Sequence, residues 1–406
     1  YFWLSRFFDR FSSFVGSLFY LYTPYHLFDL YKRGSVGEIL AFAVLPFIFW
    51  QIERRSFVWT SIGIATLILS HNTLAVLFLP IIIIYKLMDL LLKENKKYVI
   101  LNTIYLILIS LGLSAFFWIP AFFELQYTVF SQTKISEWDK YFASLDLIGI
   151  STTFVLLLTV VFMATSIIKV QKHRLTLLLF IIGLVSVFFS SSLSSVLWNI
   201  LPVSFIQFPF RFLSITLICV AFLSAVLINQ LKGSGKKIIL AIIFFVLLGF
   251  SANPYIKPKV LFDKQDQYYA TNQDSTTVKN EYMPIWVKNN PGEHFKEKVT
   301  MVNGEIGDLE IRSNKISFST DSKIATQVTV NTVYFPGWDA TIDGRKVMID
   351  YKEKGLIQVE VPEGQHKIVV SFSETPLRVT SNAISLLSLF VILFLGLKSL
   401  RKSPSA

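Results

Sequence analysis

Charge and cysteine are what this sequence holds least of. Asp, Glu, Lys and Arg make up 16% of its 406 residues, against about 25% in a soluble domain, which argues against an ordinary cytosolic enzyme. The single cysteine, Cys219, lies inside an apolar run, so a disulfide framework, a CxxC redox pair and a cysteine-based zinc site are excluded. His26, His71, His173, His294 and His366 are scattered without metal-ligand spacing. No G-x-S-x-G elbow occurs. Gly233-Ser-Gly-Lys236-Lys237 lacks the spacing and the Ser/Thr of a phosphate-binding loop. The start shows no signal-peptide pattern: Tyr1-Phe2-Trp3-Leu4 enters an apolar run directly, and we expect further helices upstream.

What is abundant is apolar surface. Hydrophobic residues make up 53%, aromatic residues 15%, and mean hydropathy is +0.55. Apolar runs of spanning length fall at roughly 1–20, 36–50, 56–70, 73–92, 98–118, 147–168, 175–190, 209–231, 238–252 and 380–398. This predicts a polytopic helical membrane protein of about ten spans. The net charge of +11 is of the sign a nucleic-acid partner would need, but its distribution says otherwise. Residues 254–376 hold 15 Lys/Arg against 17 Asp/Glu, leaving 23 against 10 for the membrane part. Those cations concentrate in short loops, Arg54-Arg55, Lys93–Lys97, Lys169–Arg174, Lys232–Lys237 and Lys398–Lys402, all on one side if ten spans alternate. By the positive-inside rule that side is the cytoplasm. The excess charge is therefore a topology signal, and no nucleic acid is implied.

We read the chain as a helical bundle over 1–253, an extracytoplasmic β-sandwich over 254–376, and a final transmembrane helix with a basic tail over 377–406. Period-2 alternation in 315–319, 356–361 and 367–372 predicts strands. Asn303-Gly304, Asp343-Gly344 and Glu363-Gly364 predict the turns between such runs. Seven or eight strands are expected, with Trp338 more suited to the core than to stacking on a sugar.

The stretch Tyr22–Glu38 gathers Tyr25, His26, Asp29, Arg33 and Glu38 in an outer loop leading into an apolar helix. A carboxylate, an imidazole and a guanidinium beside a membrane suit phosphate binding and proton transfer. Ser35-x-x-Glu38 also reads as a capping box for a helix starting near Val36. His71-Asn72 ends one apolar run on the same side. Arg211, in Gln207-Phe-Pro-Phe-Arg211, lies about one turn inside a span, where it either snorkels or meets a lipid-linked phosphate. Glu124, Glu137, Asp139 and Asp146 share the 119–146 loop; a solvated loop is the favoured reading, and a divalent metal there is the alternative.

Taken together, Tyr22-x-Pro24-Tyr25-His26, Asp29-x-Tyr31-x-Arg33, Glu38, His71-Asn72, Phe208-Pro-Phe-Arg211-Phe and Glu281-Tyr282-Met283-Pro284 resemble bacterial membrane proteins of the 6-pyruvoyl-tetrahydropterin-synthase-related group, relatives of GT-C glycosyltransferases. Pro336-Gly337-Trp338 with Asp343-Gly344, and Pro362–His366, resemble the C-terminal portion of YfhO-like membrane proteins. The resemblance implies a GT-C-like bundle in a bacterial cytoplasmic membrane. It also implies transfer of a sugar from a polyprenyl-phosphate carrier on the outer face to a glycan or lipid acceptor. The acidic catalytic base of such enzymes sits in a first outer loop, expected here upstream of Tyr1. No pterin chemistry follows, because the zinc histidines of a pterin synthase have no counterpart. On this reading Tyr25, His26, Asp29, Arg33, His71 and Arg211 line a lipid-phosphate pocket, Glu38 orders the loop as a cap, and Glu281 and Tyr282 close the site from above. The alternatives are a non-catalytic envelope-assembly component and a lipid-linked glycan transporter.

Overall fold

The computed structural model describes residues 1–91, 95–132, 138–165, 170–200, 206–257, 265–271, 281–288 and 295–401. Each apolar run becomes helical, because a segment in lipid must satisfy its backbone polar groups within itself. In order these are α1 (Arg10–Tyr22), α2 (Pro24–Leu27), a π-helix (Phe28–Arg33), α3 (Val36–Glu53), α4 (Phe57–Ser70), α5 (Asn72–Leu87), α6 (Lys96–Leu113) and α7 (Ala115–Glu124). There follow α8 (Leu145–Ile148), α9 (Ile150–Ala164), α10 (Val170–Ser190), α11 (Ser195–Ile200), α12 (Leu213–Gln230), α13 (Ser234–Ile256), α14 (Asp266–Thr271) and, after the strands, α15 (Pro376–Arg401).

Among the described residues six helices are long and apolar enough to cross a membrane, or seven if a pair bent by 81° around Ser191 is one span. The ten runs differ from this because three are short as helices. The first is broken into a 3-10 turn (Leu4–Arg6) and the 13-residue α1, while α4 and α9 have 14 and 15 residues.

The chain clusters into two compact units. The first comprises 1–118, 134–264 and 385–406. Its hub is the helix Pro209–Gln230, 89% of whose apolar window is buried; α1, α9 and α10 pack around it. Being apolar all round suits it to this central place.

The second unit comprises 119–133 and 265–384 and holds a two-sheet β-sandwich. The strands are β1 (Val299–Met301), β2 (Glu305–Arg312), β3 (Lys315–Ser322), β4 (Thr326–Val333), β5 (Trp338–Ile342), β6 (Arg345–Val347), β7 (Leu356–Val361) and β8 (Gly364–Phe372). One sheet runs β1-β4-β7, the other β2-β3-β8-β5-β6, all antiparallel. Inward residues such as Ile316, Phe318, Val328, Val330, Ile357 and Ile368 form the core, and Trp338 packs against it half-buried. Asp343-Gly344 makes the two-residue β5–β6 turn with φ of 50° and 79°, the positive pair that an Asp-Gly hairpin favours.

Candidate functional site

The site lies at one end of the first unit, where α3 and α5 begin and the 3-10 turn Pro209–Phe212 leads into α12. Its local construction starts at Thr23-Pro24. Proline at the first helical position opens α2, and the chain then widens into the π-helix, a form that recurs at functional sites. Gly34, at φ 59°, ends it, and the Gly34 and Ser35 N–H groups both donate to the Asp29 carbonyl. Asp29 and Arg33 thereby face each other and are paired.

The chain reverses at Ser35 into α3, but no capping box forms: Ser35 makes no side-chain cap. Glu38 is instead wholly buried and turned inward. Its Oε1 accepts from Arg33 Nη1 at 2.8 Å and from Arg211 Nε at 3.1 Å, and His71 Nε2 lies 3.5 Å away. Its Oε2 accepts from the Tyr25 hydroxyl at 3.2 Å. The expected capping role is therefore replaced by that of a shared counter-ion. Burial explains the exchange: Arg211, 5% exposed, cannot sit there unpaired, and Arg33 is only partly exposed beside it.

Arg211 neither snorkels nor stands alone. It is 5% exposed, and its Nη1 also donates to the Ile206 carbonyl at 2.9 Å and to Gln207 Oε1 at 2.8 Å. Gln207 adopts φ 68°, a left-handed conformation uncommon outside glycine, held while its side chain bonds Arg211. The stacked Phe208 and Phe210 rings wall the cluster; Arg33 lies over both and Arg211 over Phe208. Nothing in the sequence marks Gln207's backbone, although the quoted Gln207–Arg211 motif contains it.

His71 arrives because Gly37 permits it. A Cβ on Gly37 would stand 2.6 Å from the Ser70 carbonyl, so glycine lets the start of α3 abut the α4–α5 turn. His71 Nδ1 accepts from the Leu74 N–H and caps α5, which leaves the proton on Nε2, facing Glu38. Burial lowers the His71 pKa to about 4 against the pull of Glu38, so the ring is neutral at pH 7.

Asp29 is wholly buried, and its Oδ2 has no hydrogen-bond partner. Burial and then the nearby Glu38 raise its carboxyl to about 7, against the opposing Arg33. His26 stands apart. Its Nδ1 meets the Tyr20 carbonyl at 2.9 Å and its ring packs on Tyr20 and Phe42, a satisfied core histidine. Tyr25, Asp29, Arg33, Glu38, His71 and Arg211 are thus brought together, and His26 is not.

Glu281 and Tyr282 belong to the second unit. There the Glu281 and Met283 carbonyls accept from the Phe130 and Val129 N–H groups, and Tyr282 stacks on Phe130. Glu124 is held by a two-pronged Arg378 at 2.8 and 2.9 Å. Asp139 and Asp146 are exposed, and Glu137 lies outside the described residues. Among the described residues no group of three or more His, Cys, Asp or Glu side chains is placed to hold a metal ion.

Residues 1–258 match the family described as 6-pyruvoyl-tetrahydropterin synthase related domain, membrane protein. Residues 270–385 match that described as bacterial membrane protein YfhO. No curated protein and no solved structure matches the chain.

Proposed function

We propose, from the premise that this chain belongs to the 6-pyruvoyl-tetrahydropterin synthase related family of membrane proteins, that it is a GT-C-type membrane glycosyltransferase using a polyprenyl-phosphate-linked sugar. The observation that supports this most is the convergence of two guanidiniums on one carboxylate at an end of the bundle. Arg33 and His71 are each 19% exposed above a fully buried Glu38. Arg33, the more exposed of the two guanidiniums, presents a fork that matches phosphate oxygens, in a low-dielectric setting where such a contact is strong.

In that role Arg33 contacts the donor phosphate with the His71 ring beside it, while Glu38, itself held by Arg211, keeps Arg33 in place. During transfer the sugar C1–phosphate oxygen bond breaks and the acceptor hydroxyl bonds to C1 as it loses its proton. Donors preorganised at the leaving phosphate stabilise the charge that develops there. The outer face of a bacterial cytoplasmic membrane is where we place this end, because the basic loops gather at the other.

One observation favours a second reading, a non-catalytic envelope-assembly role: Glu38 and Asp29 already pair with both arginines inside the protein. Sugar release from polyprenyl-phosphate donors, followed in membranes containing the full-length protein, separates the two. On the enzyme reading Arg33→Gln lowers transfer at least tenfold at unchanged protein level. No donor consumption by the wild type, across a donor panel, leaves the assembly role.

A further inference from the structure

At the opposite end of α3 the chain builds a second concavity, which the glycosyl-transfer reading does not use. Glu38 and Arg54 are 16 residues apart along one helix, about 24 Å at 1.5 Å per residue, so the two sites face opposite sides of the bundle. Here α4, α6 and α15 enclose a groove of about 820 Å³. Phe57 and Trp59 on α4, Tyr105 and Ile109 on α6, and Val391 and Leu395 on α15 form its walls. Tyr105 with Ile109, and Val391 with Leu395, each stand four residues apart and so share a helix face. The mouth carries Arg54 and Arg55, both exposed, and among the described residues no carboxylate lines the groove. Arg54 lies over the Trp50 ring.

A smaller polar pocket of about 180 Å³ adjoins the groove, with Arg55, Ser56 and Phe57 common to both. Lys86, Asp89 and Asn102 line its far side, and Lys86 lies 3.7 Å from Asp89. Arg55 itself sits at φ 55°, where the α3–α4 turn would favour glycine. A long cationic side chain in a glycine position points to a role for that side chain beyond the turn.

We infer that this double cavity binds an anionic phospholipid with a small polyol headgroup. The acyl chain occupies the apolar groove, the phosphate meets Arg54 and Arg55, and the headgroup hydroxyls enter the polar pocket toward Ser56 and Asn102. Charge complementarity at Arg54 and Arg55 and the apolar-to-polar order of the walls select this occupant over a zwitterionic lipid, whose cationic headgroup would be driven against those two arginines at the mouth. By the positive-inside rule the lipid belongs to the cytoplasmic leaflet. The inference does not depend on the glycosyltransferase reading.

The test is native mass spectrometry of the full chain in detergent, titrated with phosphatidylglycerol and, separately, phosphatidylcholine of identical chains. Wild type is expected to bind phosphatidylglycerol at least tenfold more tightly. Arg54→Gln with Arg55→Gly removes both charges while giving the turn its preferred residue, so the fold is kept. It should weaken phosphatidylglycerol about 30-fold, from about 1 kcal/mol per arginine near a lipid surface, and weaken phosphatidylcholine, which shares the phosphate but carries no net charge, by less. Gly396→Leu fills the groove, since a Cβ there meets nothing within 4 Å, and should weaken both lipids. Equal binding of the two lipids by wild type overturns the inference, as does phosphatidylglycerol binding that survives the double arginine change. Displacement by glycerol 3-phosphate at the same concentration as by whole lipid also overturns it, because the groove would then contribute nothing.

Discussion

Arg211 and Glu38, 173 positions apart in sequence, meet at 3.1 Å between Nε and Oε1 in the buried end of the bundle. This contact joins the first turn of α3 to the 3-10 turn before α12, the hub of its unit. It also explains how a guanidinium inside an apolar run is tolerated: its charge is answered within the protein. Removing one partner of such a pair leaves the other buried and uncompensated, at about 3–5 kcal/mol.

Glu38→Ala should therefore destabilise strongly, since it orphans Arg211 and Arg33 together. Adding Arg211→Met should recover part of the loss by removing one orphaned charge. Melting temperatures of the purified single and double variants measure this coupling. A double variant as unstable as the sum of the single changes would show that the two side chains do not act as a pair.

The buried Asp29 makes stability depend on pH. Its carboxyl is raised from 3.8 to about 7 in the folded chain, so the folded state holds this proton more tightly than the unfolded state. The contribution is full below the ordinary value, declines as pH rises, and is lost above about 7. The difference in melting temperature between wild type and Asp29→Asn should therefore shift against wild type from pH 4 to pH 7 and stay level above. A difference that is flat throughout would mean that Asp29 does not hold its proton there.

Gly37 controls whether His71 reaches Glu38. An alanine Cβ would fall 2.6 Å from the Ser70 carbonyl, and backbone cannot yield as a flexible side chain does. Gly37→Ala should cost about 1–3 kcal/mol, read as a lower melting temperature. If the glycosyl-transfer reading holds, it also lowers transfer by moving His71. An unchanged melting temperature would show that this close approach is not required.

In the second unit, Trp338 packs against the β-core and stands 5.4 Å from Phe372 between ring centroids. Trp338→Ala should destabilise by about 2–4 kcal/mol, less than a fully buried tryptophan because the ring is half-exposed. Solubilised-protein unfolding curves check this. A full retention of stability would reopen sugar stacking as its role.

Much was legible from one dimension. Apolar runs are set by composition, so the helices and the lack of soluble-domain charge follow from residue type alone. The Asp343-Gly344 turn follows because that dipeptide accepts two positive φ values, and the alternation in 315–319 and 367–372 marks strands that pair as β3 and β8. Tyr25, Asp29, Arg33, Glu38, His71 and Arg211 could be singled out as polar residues that an apolar setting leaves unexplained.

What each does there was a matter of tertiary structure. Ser35-x-x-Glu38 has the spacing of a capping box, yet Glu38 turns inward, because the buried Arg211 and the partly exposed Arg33 need a carboxylate, while the Ser35 N–H already bonds the Asp29 carbonyl. His26 and His71 read alike in sequence; packing gives one to the Tyr20 carbonyl and the other to Glu38. Local residue type determined where the chain is helical, extended or turning. Partnership between charges far apart in sequence was decided only when packing brought them into one low-dielectric space, where each must find a counter-ion.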